Sequence, residues 1–329
     1  MGILDERARL TGKVAAVAGG GGGLGRAITL DLAAAGVHLS VCDVDADALD
    51  ATAAAARRLG AAITTQVADV RDPAALAEWF AAGDAAFGRL DIAVNIVGGT
   101  FRATFADTTA RGRDALVRAN FTWVADAIGH EARRMAAGGR GGSIVTLTSI
   151  EGHRAAPGFA VYGAMKAAVT HLTRTLAVEL GPAGIRVNCV APDFVPTAGM
   201  AEVAAAAGSG GRAAVAAGNG DDPGDVLAIP LGRKGRPDEV ANCVLFLVSE
   251  LASYVTGTTV HPDGGALAGS GWLRWPGEGH TPRPPAWVLE QVTDEPGASH
   301  AEHRTPPAEP GTGAGAAGAR TRPRTTTPG

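Results

Sequence analysis

Several kinds of residue are scarce in this chain of 329 residues, and each scarcity excludes a class of protein. The three cysteines, Cys42, Cys189 and Cys243, are widely spaced in apolar runs, which predicts free thiols in a reducing compartment rather than disulfides or a metal site. Basic residues are not in excess, with Lys+Arg 29 against Asp+Glu 33. The charge therefore gives no reason to expect nucleic acid or an acidic membrane as a partner.

Long apolar runs are also missing. No stretch of about 18 consecutive apolar residues suggests a membrane span. The N-terminal residues MGILDERARLTGK lack the apolar segment of a secretion signal. We expect a cytoplasmic protein.

Tyrosine and lysine are rare enough for their spacing to be informative. The chain has two tyrosines and three lysines: Tyr162, Tyr254, Lys13, Lys166 and Lys234. On a helix, Tyr162 and Lys166 would share one face with their Cβ atoms about 5–6 Å apart, and a nearby ammonium lowers the pKa of a phenol. Ser149 offers a hydroxyl at the end of the preceding apolar run. The spacing predicts an acid–base site; the alternative is an ordinary amphipathic helix pair.

Glycine, in contrast, is abundant and clustered. A predicted strand over 13–18 ends at Gly19, and a helical pattern begins near Leu24. Gly19, Gly23 and Gly25 have the spacing that lets a backbone approach a pyrophosphate while helix amides point at the phosphates. The turn favours dinucleotide binding, with a merely flexible turn as the alternative.

The next predicted strand, over 38–42, ends at Asp43, before a helical pattern over 45–59. An acidic residue about 20 residues beyond such a turn accepts hydrogen bonds from the adenosine ribose and repels a 2′-phosphate. This favours NAD over NADP. The alternative is that Asp43 or Asp45 caps the following helix.

Strands continue to alternate with helices along the chain. Further strands are predicted over 62–67, 90–94, 143–147, 185–190 and 258–261, and further helices over 73–87, 111–137, 159–180 and 237–250. This alternation predicts an α/β fold: one doubly wound domain over residues 1–280, with a mainly parallel seven-stranded sheet and helices on both faces. The Ala- and Gly-rich residues 198–230 are predicted to form a substrate lid. Residues 281–329, rich in Pro, Gly, Thr and Arg, are predicted to be disordered.

Over about residues 10–268 the chain resembles the short-chain dehydrogenase/reductase family. The matching segments are AGGGGGLG at 18–25, Asp69, VNIVGG at 94–99, Asn120, Ser149, YGAMK at 162–166, RVNCVAPD at 186–193 and VTGTTVHPDGG at 255–265. The resemblance implies a Rossmann-type fold and hydride transfer between a nicotinamide cofactor and an alcohol or ketone. It also implies a homo-oligomer, a tetramer or dimer.

The resemblance assigns a catalytic role to four residues. Tyr162 would be the general acid or base, and Ser149 would hydrogen-bond the substrate oxygen. Lys166 would lower the pKa of Tyr162 and hold the nicotinamide ribose. Asn120 would anchor a water that relays protons through Lys166.

The same resemblance implies a larger set of binding residues. Cofactor contacts would come from Gly19, Gly23, Leu24, Gly25, Asp43, Asp69, Val70, Asn95, Gly98, Tyr162, Lys166, Pro192 and Thr197. For Asn95, the alternative is a structural tie between the fourth strand and the glycine turn. The substrate pocket would be lined by Ser149, His153, Phe159 and Phe194.

The sequence departs from the family pattern at a few positions. Ala18 replaces a usual threonine, and Ile96 and Val97 replace a usual Asn-Ala. Asp193 stands where the family usually has glycine, next to the expected nicotinamide, in a position to change substrate preference.

The leading hypothesis is an NAD-dependent oxidoreductase for a secondary alcohol or ketone of mainly apolar character, without a metal. Two alternatives stay open: an NADPH-dependent 3-oxoacyl-thioester reductase, and a dinucleotide-sensing protein without turnover. Trp272 and Trp275 are predicted to pack on the domain, cap the pocket or lie in a subunit interface.

Overall fold

A parallel sheet of seven strands forms the centre of the structure, a computed structural model that describes residues 2–197 and 223–293. The strand order is β3-β2-β1-β4-β5-β6-β7, as predicted for a doubly wound α/β fold. The strands are β1 Val14–Ala18, β2 His38–Asp43, β3 Ile63–Val67, β4 Ile92–Asn95, β5 Gly142–Leu147, β6 Ile185–Val190 and β7 Thr259–Val260.

Helices cover both faces of the sheet. The described helices are α1 Ile3–Ala8, α2 Gly23–Ala34, α3 Ala46–Arg58, α4 Pro73–Phe87, α5 Ala110–Val117, α6 Trp123–Gly138, α7 Ala160–Leu180, α8 Pro223–Ala228, α9 Pro237–Val248, α10 Ala266–Gly269 and α11 Ala286–Thr293. Helices α2, α3 and α9 share one hydrophobic core, and α4, α6 and α7 share the other. No described helix combines the length and apolar character needed to cross a membrane.

Strand β1 shows why a central strand has an uninterrupted apolar sequence. All five of its residues are buried. Because successive side chains in a strand point to opposite faces, Ala15 and Val17 enter one core while Ala16 and Ala18 enter the other. Burial on both faces leaves no position for a polar residue.

Helix α4 begins and ends where its local signals predict. The Asp72 side chain accepts a hydrogen bond from the Ala74 amide at 2.9 Å, and Pro73 occupies the first helical turn. Gly88 ends the helix in a left-handed conformation with φ of 63°. Capping chemistry alone therefore fixes both ends.

The helix predicted over 111–137 is instead divided into three segments. A π-helical turn, Arg118–Thr122, separates α5 from α6. Within it, the Asn120 side chain donates to the Leu116 carbonyl at 2.9 Å, so a side chain takes an acceptor that a backbone amide would use in a regular helix. Apolar periodicity does not reveal such an insertion.

The C-terminal part contains more structure than predicted. An antiparallel hairpin, β8 Leu273–Trp275 and β9 Gly279–Thr281, ends a compact unit that extends from residue 1 to 283. Trp272, just before the hairpin, is 54% exposed. A second unit begins at Pro284, and its described part is helix α11, which lies within the tail predicted to be disordered.

Two predicted segments extend outside the described residues. They are the tail from residue 294 onward and most of the predicted lid, residues 198–222. Of the lid segment, α8 and the residues that follow it are described. Both predictions stay predictions.

Candidate active site

The site lies at the carboxyl edge of the sheet, where β1 pairs with β2 on one side and with β4 on the other. The chain order reverses there, since β2 and β3 extend the sheet one way and β4 to β7 the other. Open parallel sheets bind ligands at such a switch point, because the loops after the two central strands diverge and leave a crevice. The residues singled out from the sequence follow β1 to β6, except for Asn120, Tyr162 and Lys166, which lie on helical segments beside the same edge.

The glycine turn, residues 19–25, joins β1 to α2 through backbone conformations that side chains would obstruct. Gly19 and Gly23 have φ values of 83° and 50°, in the region that favours glycine. A Cβ on Gly25 would overlap the carbonyl oxygen of Gly19. At Gly23, a Cβ would lie 3.2 Å from Thr197, so the turn also packs against the loop after β6.

Asp43 lies at the end of β2, beside the glycine turn. Its Oδ2 accepts a hydrogen bond from the Gly21 amide at 2.9 Å, and its Oδ1 accepts one from the Val44 amide at 2.8 Å. The N-cap of α3 is Asp45, whose side chain accepts from the Ala48 amide at 3.0 Å. Asp43 therefore does not cap the helix, and its carboxylate is fixed at the crevice.

A cavity of about 370 Å³ occupies this crevice. Its lining includes predicted cofactor residues from several loops: Gly19, Asp43, Asp69, Val70 and Gly98. Asp69 is paired with Arg71, whose Nη2 lies 2.7 Å from Oδ2, and the guanidinium lowers the pKa of Asp69. A glycine turn that leads into a cavity with a carboxylate at its edge has the features expected for the adenosine half of a dinucleotide.

The four predicted catalytic residues, Asn120, Ser149, Tyr162 and Lys166, form what we call the catalytic cleft, which adjoins this crevice at Gly98. The Ser149 side chain is close enough to Tyr162 to lower the pKa of its phenol. Lys166 is only 4% exposed, and its Nζ donates to the Leu147 carbonyl at 3.0 Å. That Nζ also lies 5.6 Å from the centre of the Tyr162 ring, so the four-residue spacing on α7 does bring tyrosine and lysine together.

Asn120 reaches the same place from the π-helical turn. It is fully buried, its Nδ2 donates to the Gly99 carbonyl at 2.8 Å, and its Oδ1 accepts from the Gly99 amide at 3.2 Å. A Cβ on Gly98 would lie 3.0 Å from both Asn120 Oδ1 and Lys166 Nζ. The absence of a side chain at Gly98 thus lets two predicted catalytic residues approach each other.

One expectation about this cleft needs correction. Lys166 was expected to lower the pKa of Tyr162, but burial raises it; the Ser149 hydrogen bond lowers it, and the nearby Glu151 raises it. Burial also lowers the pKa of Lys166 itself, to about 8. Loss of solvation is thus the largest influence on the pKa of Tyr162, ahead of Ser149 and Glu151.

Asn95 makes a structural contact in the core, and its predicted cofactor contact stays a prediction. It is 1% exposed, and its Nδ2 donates to Glu131 Oε2 at 3.2 Å, so the side chain ties β4 to α6 rather than to the glycine turn. The tie to the end of β1 comes from the backbone, where the Ile96 amide donates to the Ala18 carbonyl at 3.1 Å. Glu131 is itself buried, which raises its pKa to about 8.

The residues predicted to line the substrate pocket are more widely separated than the four predicted catalytic residues. Phe159 immediately precedes α7, and the ring of Phe194 lies 5.7 Å from Lys234 Nζ. The His153 ring packs edge-on against His261, with 4.6 Å between ring centres. His153 therefore shares its surroundings with the end of β7, whereas its place in the pocket stays a prediction.

Sequence reasoning missed several residues around the site. Lys234 Nζ lies 3.4 Å from Asp225 of α8 and also near Phe194. A single charged residue in the sequence does not reveal such contacts. Glu131 had a readable signal, since it follows Val124, Ala127 and Ile128 at helical spacing on the buried face of α6. A carboxylate on an apolar stripe predicts a buried partner.

The fold is of the doubly wound α/β class. Residues 18–266 match the family model described as enoyl-(acyl carrier protein) reductase. Cyclohexanol dehydrogenase of Rhodococcus sp. (strain TK6) is 36% identical over 282 residues, 80% of this chain and 98% of that protein. The 3-oxoacyl-[acyl-carrier-protein] reductase of Thermotoga maritima is 34% identical over 259 residues, 79% of this chain and 99% of that protein.

A solved structure agrees in fold. The 7α-hydroxysteroid dehydrogenase in complex with NADH and 7-oxoglycochenodeoxycholic acid has a TM-score of 0.71 and is 29% identical, covering 80% of this chain and 98% of that one. The chain belongs to the short-chain dehydrogenase/reductase family, and it is an oxidoreductase acting on CH–OH groups.

Proposed function

We propose that this protein is an NAD-dependent dehydrogenase that interconverts a small secondary alcohol and its ketone. The observation that carries the proposal is the convergence of Asn120, Ser149, Tyr162 and Lys166 next to the crevice that holds Asp43. The relative named cyclohexanol dehydrogenase supports an alcohol as substrate.

Each side chain of the cleft has a distinct task in this reaction. Ser149 donates a hydrogen bond to the substrate oxygen, where negative charge grows during ketone reduction. Tyr162 gives its proton to that oxygen in reduction and removes it in oxidation. The bound nicotinamide supplies the hydride chemistry.

Proton exchange with solvent falls to Lys166 and Asn120. Lys166, with its pKa lowered to about 8 by burial, is suited to pass protons near neutral pH. Asn120 holds the loop at Gly99 through two hydrogen bonds and would orient a water beside Lys166. The oxidised nicotinamide ring is positively charged, and in its presence the phenolate of Tyr162 would be stabilised.

Asp43 supports NAD as the cofactor. Its carboxylate stands at the edge of the cavity, oriented by the amides of Gly21 and Val44. A 2′-phosphate there would face the Asp43 carboxylate, and Arg71, which also lines the cavity, is already paired with Asp69. The NADPH-dependent 3-oxoacyl-thioester reductase remains the second candidate, and the Thermotoga maritima relative favours it.

The test combines cofactor titration with turnover. We expect NADH to bind at least tenfold more tightly than NADPH, and a panel of uncharged secondary alcohols with NAD⁺ to yield at least one substrate. Tyr162→Phe should lower kcat on that substrate by roughly 10²–10⁴-fold while leaving NADH affinity within about threefold.

Each part can fail separately. Tighter binding of NADPH would overturn the cofactor assignment and favour the thioester reductase. Unchanged turnover by Tyr162→Phe would overturn the catalytic assignment. A protein that binds NADH but oxidises no alcohol and reduces no ketone would be the dinucleotide sensor.

A further inference from the structure

Two loops lie side by side over the catalytic cleft. One follows β5 and carries Ser149, and the other follows β6 and carries Asp193. The Ile150 amide donates to the Pro192 carbonyl at 3.2 Å, so the residues adjacent to Ser149 and Asp193 are directly bonded. A charge on either loop is therefore close to the position of the reacting oxygen.

Arg154 links carboxylates on both loops. Its Nη2 lies 2.9 Å from Glu151 Oε1 and 3.7 Å from Asp193 Oδ1. The three side chains are 38%, 24% and 21% exposed in the order Arg154, Glu151 and Asp193, so none is sealed from a molecule entering the cleft. Burial raises the pKa of Asp193, and the Phe194 amide and the Arg154 guanidinium oppose that shift by stabilising the ionised carboxylate.

The charges around Asp193 do not balance. The charged groups that act on Asp193 are Arg154, Glu151 and Asp263, so three carboxylates share one guanidinium. Asp263 is held by the amides of Gly265 and Leu267, which give hydrogen bonds but no full charge. Arg154, between two carboxylates, is not available as an anchor for an anion.

The negative charge of this cluster, formed by Asp193, Glu151 and Arg154, also acts on the Tyr162 phenol. Glu151 acts electrostatically on Tyr162 as well as on Asp193. A negatively charged substrate whose oxygen meets Ser149 and Tyr162 would thus experience the same repulsion.

We propose that Asp193, with Glu151 and Arg154, restricts this site to uncharged or cationic alcohols and ketones and disfavours substrates that carry a carboxylate or phosphate near the reacting carbon. This inference rests on the proposed function, whose substrate class it narrows. It also weighs against acyl thioesters bearing anionic groups close to the thioester.

Binding can be measured without turnover. In the Tyr162→Phe protein saturated with NADH at about pH 8, nicotinamide fluorescence reports the affinity of three ketones of one ring size: cyclohexanone, 4-oxocyclohexanecarboxylate and 4-aminocyclohexanone. We expect the carboxylate to bind about tenfold more weakly than cyclohexanone, and the ammonium compound at least as tightly as cyclohexanone. Adding Asp193→Asn should reduce the carboxylate penalty to about threefold or less, whereas Arg154→Gln should enlarge it.

Two further variants test whether the effect on affinity comes from the charge of Asp193. Asp193→Gly removes the charge with a different backbone preference and should reproduce the Asp193→Asn result. Asp84→Asn removes a carboxylate that pairs with Arg134 between α4 and α6, away from the cleft, and should leave the affinity ratios unchanged.

Failure here can be distinguished from failure of the proposed function. Equal affinity for cyclohexanone and its carboxylate, or a ratio insensitive to Asp193→Asn, overturns the inference and leaves the dehydrogenase proposal intact. Absence of any ketone reduction by the unmodified protein overturns the dehydrogenase proposal. The relative affinities of the three ketones for the NADH complex then still test the charge preference around Asp193.

Discussion

The crevice beside β1 and the catalytic cleft beside β5 lie at the same edge of one sheet but are built in opposite ways. The crevice depends on missing side chains: Gly19, Gly23 and Gly25 let the backbone turn and approach closely. The cleft depends on buried polar side chains, such as Asn120 and Lys166, that are held by hydrogen bonds. One site is thus damaged by adding a methyl group, and the other by removing a polar atom.

Gly25→Ala should give the largest effect on the crevice. Its Cβ would overlap the Gly19 carbonyl oxygen, and backbone cannot move aside as a flexible side chain can. We expect a loss of about 3 kcal/mol, measured as weaker NADH binding by fluorescence or as lower stability in urea. Gly22→Ala adds the same methyl group where nothing lies within 4 Å, and should be much milder. Equal effects of the two variants would contradict the backbone-contact explanation.

Gly98→Ala tests the limit of this contrast, because Gly98 lines the crevice while a methyl group added to it would damage the cleft. The added Cβ would lie 3.0 Å from both Asn120 Oδ1 and Lys166 Nζ. We expect kcat to fall by roughly 10- to 100-fold, since small displacements of catalytic groups are costly, with a smaller change in NADH affinity. The matched variant is Gly99→Ala, which has no atom within 4 Å of its new methyl group and should be the milder of the two in kcat. The reverse order would show that Gly98 does not set the spacing of these side chains.

Glu131→Gln should have the smallest effect, on stability rather than on catalysis. Burial raises the pKa of Glu131 to about 8, from an ordinary value of 4.5. The folded state therefore keeps a proton that the unfolded state loses, so stability is fully present below about pH 4.5 and is lost as the pH rises toward about 8. Glutamine does not titrate, and we expect the unmodified protein to lose about 1–2 kcal/mol more than Glu131→Gln between about pH 6 and pH 7.5. Urea unfolding at both pH values measures the free energy of unfolding of each protein. If it changes equally with pH in the unmodified protein and in Glu131→Gln, Glu131 is ionised in the folded state.

The same contrast explains how well each site was predicted. The glycine turn and Asp43 lie within 25 residues of one another, and their spacing is set by one strand, one turn and one helix. Tyr162 and Lys166 are neighbours on one helix. Local geometry is sufficient for such groups, and the strand positions around them followed from apolar runs.

Contacts between segments that are distant in the sequence could not be predicted from local geometry. The Asn95–Glu131 bond joins residues 36 apart, and Arg154 meets Asp193 only because β5 and β6 are neighbours. The pKa of Tyr162 likewise depends on how deeply α7 is packed, so burial outweighed the lysine that the spacing suggested.

By itself, the sequence determined the alternation of strands and helices, the glycine turn and the pairing of Tyr162 with Lys166, because short-range sterics and helical periodicity act along the chain. Only the tertiary structure decided the π-helical turn at Asn120, the closeness of Asn120 and Lys166 at Gly98, and the negative charge around Asp193. Those features arise where separate loops meet at the sheet edge, and burial and electrostatics there depend on the whole fold.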